Sequence, residues 1–136
     1  MSRLLHHFLP VFSFGLALDE KVTANQASEA AAAVTARARE LIDYLGLGGF
    51  ADHFVGTLST GTRRICELAC ILALEPRVIC LDEPTAGVAQ RETEAFAPLI
   101  TRIQAELGAS LLVIEHDMPF VMSISDRVYC LETGRI

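Results

Sequence analysis

Asp82 and Glu83 stand side by side at the end of an apolar run, Val78-Ile79-Cys80-Leu81, and Pro84 and Gly87 break regular structure directly after them. An ionised carboxylate is expensive to bury unless something charged answers it. Two of them at the end of a buried strand point to a metal or a reacting phosphate just beyond the sheet. In open α/β folds that crevice, at the carboxyl ends of parallel strands, is where ligands bind. A second polar group, Glu115-His116-Asp117, follows a second apolar run, Leu111-Leu112-Val113-Ile114. A third, Ser59-Thr60-Gly61, opens a helix, whose free amides and partial positive charge suit a phosphate. Glycine there lets the backbone approach phosphate oxygens closely. Each group has a plainer reading of its own: an acidic helix cap for Asp82-Glu83, a strand-end histidine for His116, an N-cap for Ser59.

The elements that position these groups follow from apolar spacing. Four apolar residues before Asp82 are the length of a strand buried on both faces, as in a parallel sheet flanked by helices. From Glu29 an alanine-rich helix is expected, with Val34, Ala38, Leu41, Ile42 and Leu45 on one face and Gly46 to stop it. Ser59 caps a helix over 60–74, whose buried positions are Ile65, Leu68, Ala69 and Leu72, and Pro76 ends it. Another helix should run over 91–107, burying Phe96, Leu99, Ile100, Ile103 and Leu107 and closed by Gly108. Pro98 inside it predicts a kink or a late start. Leu111 to Ile114 form a second buried strand and Arg127 to Leu131 a third, with a short helix around Phe120 to Ser123 between them. Glu132-Thr133-Gly134-Arg135 reads as a hairpin turn. The alternation gives an α/β fold with a parallel sheet core and an antiparallel addition. It divides the chain into a poorly defined segment over 1–28, a helical subdomain over 29–75 and an α/β core over 76–136.

Length and composition bound the function. With 136 residues, 51% of them apolar, the chain can bury one hydrophobic core and is not a disordered chain. A net charge of −6 with scattered basic residues leaves no footprint for nucleic acid. Cys66, Cys70, Cys80 and Cys130 lack any zinc-ligand spacing and read as buried free thiols of a reducing cytosol. His6, His7 and His53 have no motif around them and are expected at the surface. The apolar stretch from Leu4 to Leu18 falls short of the ~20 residues of a membrane span, so it is expected to be soluble.

In order and spacing, three motifs resemble those of ATP-binding cassette (ABC) ATPases. Leu58-Ser59-Thr60-Gly61-Thr62 resembles the LSGGQ signature, Val78 to Glu83 the Walker B strand with its glutamate, and His116 the switch histidine. The resemblance covers about residues 35–136. It implies a P-loop NTPase (RecA-like) cassette with part of the helical signature subdomain, and ATP and Mg2+ as ligands. It gives Asp82 the Mg2+ through water, Glu83 the attacking water, and His116 the γ-phosphate and the charge that develops there. Ser59, Thr60 and Gly61 then contact the nucleotide of a second ATP-binding subunit. Ile114-Glu115-His116-Asp117-Met118, Ser125-Asp126-Arg127-Val128 and Ala86-Gly87 look like the ATPase subunits of branched-chain amino-acid importers. That implies integral-membrane permease partners, a homo- or heterodimer of cassettes, and a place on the cytoplasmic face of the membrane.

The departures are also specific. Thr60 and Thr62 replace a glycine and the glutamine of the signature, and Ala89 stands where the D-loop usually carries a polar residue, so weaker coupling between paired sites is expected. No G-x-x-x-x-G-K-[ST] occurs, and Lys21 is the only lysine. Nothing in these residues supplies the phosphate-cradling loop. The chain is therefore expected to be the middle-to-late part of a cassette and inactive alone. A non-catalytic cassette-like binding module and an ABC ATPase outside transport are the alternatives.

Overall fold

The computed structural model describes residues 24–136, which form two compact units divided between Pro76 and Arg77. The stretch from Leu4 to Leu18, with His6 and His7, lies outside the described residues. Among those described, no helix is long and apolar enough to cross a membrane.

The first unit is helical. Helix α1 spans Ala24–Tyr44, starting earlier than the expected Glu29 because good helix formers, Ala24, Gln26 and Ala27, extend the alanine-rich run upstream. Its apolar stripe buries Ala38, Leu41, Ile42 and Leu45. It ends in a Schellman motif: Gly46 is left-handed, its amide donates to Asp43 O, and the Leu47 amide donates to Ile42 O at 2.8 Å. The motif sets Leu47 beside the stripe, and Leu47 is only 1% exposed. Two short 3₁₀ turns, Gly48–Phe50 and Val55–Thr57, lead to helix α2, Thr60–Leu72, which buries Cys66, Leu68, Ala69 and Leu72.

The second unit is a βαβ arrangement. Strand β1, Val78–Asp82, pairs in parallel with β2, Ser110–Ile114, from Val78 opposite Ser110 to Asp82 opposite Ile114. Helix α3, Gln90–Leu107, makes the crossover a parallel pair requires. It does not start late: it begins at Gln90 and carries Pro98 in its interior, where the ring is exposed. Phe96, Ile100 and Ile103 are buried, each contributing about 1.5–3 kcal/mol. Leu107, expected in the core, is exposed at the last position, just before left-handed Gly108 donates to Gln104 O. Helix α4, Met118–Ile124, packs on α3 through a stack of Phe96 and Phe120 with ring centroids 6.2 Å apart.

Three expectations fail here, the first two for one reason. Burial on both strand faces needs layers on both sides of the sheet, and the described residues cover one. Ile79 is 2% exposed, whereas Val78, Leu112 and Ile114 are about 60% exposed on the other face. Cys80 shares that bare face and is exposed, as is Cys130, so only Cys66 of the four cysteines is fully buried. Residues 127–131 form no strand among the described residues, because nothing there pairs with them; Val128, Tyr129 and Leu131 are exposed. The turn after them forms as expected: Thr133 and Gly134 both take positive φ between the bridged Glu132 and Arg135, the geometry of a hairpin turn.

Candidate functional site

Parallel register brings the polar groups of the two strands to one end. Asp82 is the last residue of β1, exposed and opposite Ile114. One residue on, the Glu83 amide still donates to Ile114 O, at 2.8 Å, but its backbone turns to φ 44°. Left-handed backbone costs an L-residue about 1–2 kcal/mol. The turn that follows secures it: Ala86 donates to Glu83 O, Val88 donates to Thr85 O, Pro84 is buried and Gly87 takes φ 71°. The Glu83 carboxylate therefore leaves the strand axis, and Oε1 lies 3.7 Å from His116 Nδ1. Both side chains are more than half exposed, open to a ligand arriving at the strand ends.

Glu115 has the opposite character. Its side chain is fully buried, and both oxygens are engaged. One accepts the Thr85 amide at 2.8 Å and also the Thr85 hydroxyl; the other accepts the amides of His116 at 2.9 Å and Asp117 at 3.4 Å. Burial pushes this carboxyl up, but the bonds from Thr85, His116 and Asp117 outweigh it and hold it below the ordinary glutamate value. Asp117 then caps α4, accepting the Phe120 amide at 3.0 Å, with Pro119 at the start of the helix. Thus the two loops that carry Glu83 and His116 are tied together through one buried carboxylate. Thr85 and Glu115 were missed as site residues in the sequence. The available signal was a hydroxyl just after one strand and an acid at the end of the next.

Glu83 and His116 come together at the strand ends, with Asp82 at the last position of β1; Ser59, Thr60 and Gly61 belong to the first unit. There Ser59 is the N-cap of α2, its hydroxyl oxygen accepting the Thr62 amide at 3.1 Å and lying 2.9 Å from Thr62 Oγ1. Thr62 thus turns its hydroxyl back onto the cap. Thr60 Oγ1 is held by Arg63 at 3.4 Å, and Gly61 is buried in the first turn.

The donor set suits a hard, hydrated cation. Asp82 offers one exposed carboxylate at the strand end, and no cluster of three metal-ligating side chains occurs among the described residues. Mg2+ is typically held by one or two carboxylates together with water and substrate phosphate, whereas zinc and calcium sites need more protein ligands.

The chain has the fold of part of an ATP-binding cassette. Two solved cassettes of ABC transporters superpose with TM-scores of 0.75 and 0.74, over 98% of this chain and 53% of each of theirs, at 23% and 21% identity. The chain belongs to the ABC transporter family, whose model matches residues 4–86. It is 39% identical over 93 residues to the high-affinity branched-chain amino acid transport ATP-binding protein BraF of Pseudomonas aeruginosa, covering 68% of this chain and 36% of that one. The corresponding LivG protein of Salmonella typhimurium is 36% identical over 98 residues, covering 72% of this chain and 38% of its own. The chain thus spans little more than a third of the length of these curated relatives.

Proposed function

We propose that the protein is the ATP-hydrolysing subunit of an ABC importer for branched-chain or related amino acids. The observation that carries this reading is the approach of Glu83 to His116 at the carboxyl ends of β1 and β2. The names of BraF and LivG support the substrate class. In this reading the protein works on the cytoplasmic face of the membrane, with integral-membrane permease subunits and a second ATP-binding subunit.

The roles divide by chemistry. Asp82 would hold Mg2+ through its water shell, and the bound ion supplies charge neutralisation at the phosphates. Glu83, turned out of the strand by its left-handed backbone, accepts a hydrogen bond from the attacking water and orients it. His116 donates to the γ-phosphate oxygens and stabilises the charge spread over them in the transition state. Ser59, Thr60 and Gly61 present a capped helix N-terminus to the nucleotide of the second subunit.

The test is ATP turnover by the protein assembled with its permease pair and second subunit. Glu83→Gln should lower turnover by about 10²-fold or more and accumulate the ATP-bound dimer. Undiminished turnover would remove Glu83 from the site. A second reading, a non-catalytic module that docks on a cassette or permease, is favoured by the lack of a G-x-x-x-x-G-K-[ST] loop in these residues. Equilibrium dialysis tests the second: ATP binding by the 136 residues alone would exclude it.

A further inference from the structure

We propose that Glu115 is a positioning residue: its buried carboxylate clamps the turn after β1 to the segment after β2 and so sets the distance between Glu83 and His116. The proposal deepens the reading above, since that distance is the one hydrolysis would use. Its grounds are geometric. Thr85 lies two residues past Glu83, and His116 directly follows Glu115. Beyond the strand ladder and the bond from the Glu83 amide to Ile114 O, the hydrogen bonds that join these two loops among the described residues run from Thr85 to Glu115, one from the amide and one from the hydroxyl. The opposite oxygen is taken by the backbone amides of His116 and Asp117. All these partners are donors. A carboxylate, with acceptors only, satisfies them together; an amide in its place turns two protons toward one set of donors and breaks it. Both the Glu83 and His116 side chains are largely exposed, and the His116 ring also lies 3.6 Å from Glu115, Nδ1 to Oε2. Their separation therefore depends on the backbones that carry them and on Glu115, which spans those backbones and reaches the His116 ring.

Glu115 has no path to a ligand, because its side chain is fully buried. It acts through its neighbours, and removing it should alter geometry before it alters anything else. The test uses the 136-residue chain without nucleotide, by NMR, so its result stands apart from whether the protein hydrolyses ATP. In the native protein a nuclear Overhauser contact is expected between Glu83 Hγ and the His116 ring, with slow exchange of the Thr85 amide. In Glu115→Gln the contact should disappear, and either the Thr85 amide or the His116 amide should exchange about tenfold faster or more, while amides within α3 keep their protection. Thr85→Val, which removes only the hydroxyl bond, should weaken the contact, and Thr85→Ser, which restores a hydroxyl, should recover it. If Glu115→Gln does not fold, the Val–Ser comparison at Thr85 decides the matter. An unchanged Glu83–His116 contact in folded Glu115→Gln, or equal contacts in Thr85→Val and Thr85→Ser, would overturn the proposal.

Discussion

Glu83 Oε1 lies 3.7 Å from His116 Nδ1, just beyond two strands held in parallel register. That separation exceeds a hydrogen bond, and both groups are exposed, so as an ion pair it contributes little to stability. Its value lies in what fits between: a water or phosphate oxygen can meet both groups at once.

Because the two side chains would act on one ligand, their substitutions should not add. In the assembled transporter, Glu83→Gln and His116→Ala should each lower turnover strongly, and the double variant should be little worse than the poorer single one. A double-mutant cycle on kcat reads the coupling; strictly multiplicative losses would mean the residues act independently.

Ser59 has a structural duty whatever its ligand. Ser59→Ala should cost about 1 kcal/mol through loss of the N-cap, measured by urea denaturation. Thr62→Ala, which keeps the cap oxygen and the Thr62 amide, should cost less.

The Glu115 carboxyl sits below the ordinary glutamate value in the folded chain. A depressed folded value stabilises above the unfolded-state pKa, and the contribution is lost as pH falls through the folded one. Unfolding free energy should therefore decline on acidification through and below the ordinary carboxylate range. Glu115→Gln should flatten that part of the profile, as read from denaturant midpoints across an acid pH series.

The cysteines should separate by reactivity. Burial first, then the nearby Cys70 and Glu67, push the Cys66 thiol up to about 11, so at neutral pH it is protonated as well as shielded. Iodoacetamide in the native state should label exposed Cys80 and Cys130 and spare Cys66. Mass spectrometry of the labelled chain gives the order directly.

Pro98 lies in the interior of α3 with its ring exposed, withholding one amide from the helix ladder. Pro98→Ala should raise stability by about 1–3 kcal/mol without changing turnover, since it lies outside the strand-end site. Thermal and urea unfolding check the first expectation and the assembled ATPase the second.

Local signals in the sequence carried far. The cap at Ser59, the left-handed stops at Gly46 and Gly108 and the turn at Thr133-Gly134 are all written in residues that satisfy their own backbone. The parallel pairing of β1 with β2 was also readable, since a helix-length crossover separates two apolar runs, and it predicts that Glu83 and His116 share an end. What could not be read depends on residues distant in the chain. Val78, Cys80, Leu112 and Ile114 look like core residues by type, yet exposure follows from whether a second layer exists on their side. Arg127 to Leu131 have strand-like composition but find no partner ladder. The Thr85–Glu115 bonds link positions thirty residues apart, and no spacing rule connects a threonine after one strand to a glutamate after another.

The left-handed backbone at Glu83 has a consequence for what this position tolerates. Glycine would occupy φ 44° without the penalty a side chain incurs there. On conformational grounds Glu83→Gly is thus the comfortable residue, while the proposed chemistry asks for the carboxylate. Fold and reaction select opposite residues at one position. A library screened for thermal stability alone would drift toward glycine there and silence the site; one screened for transport would retain the strain.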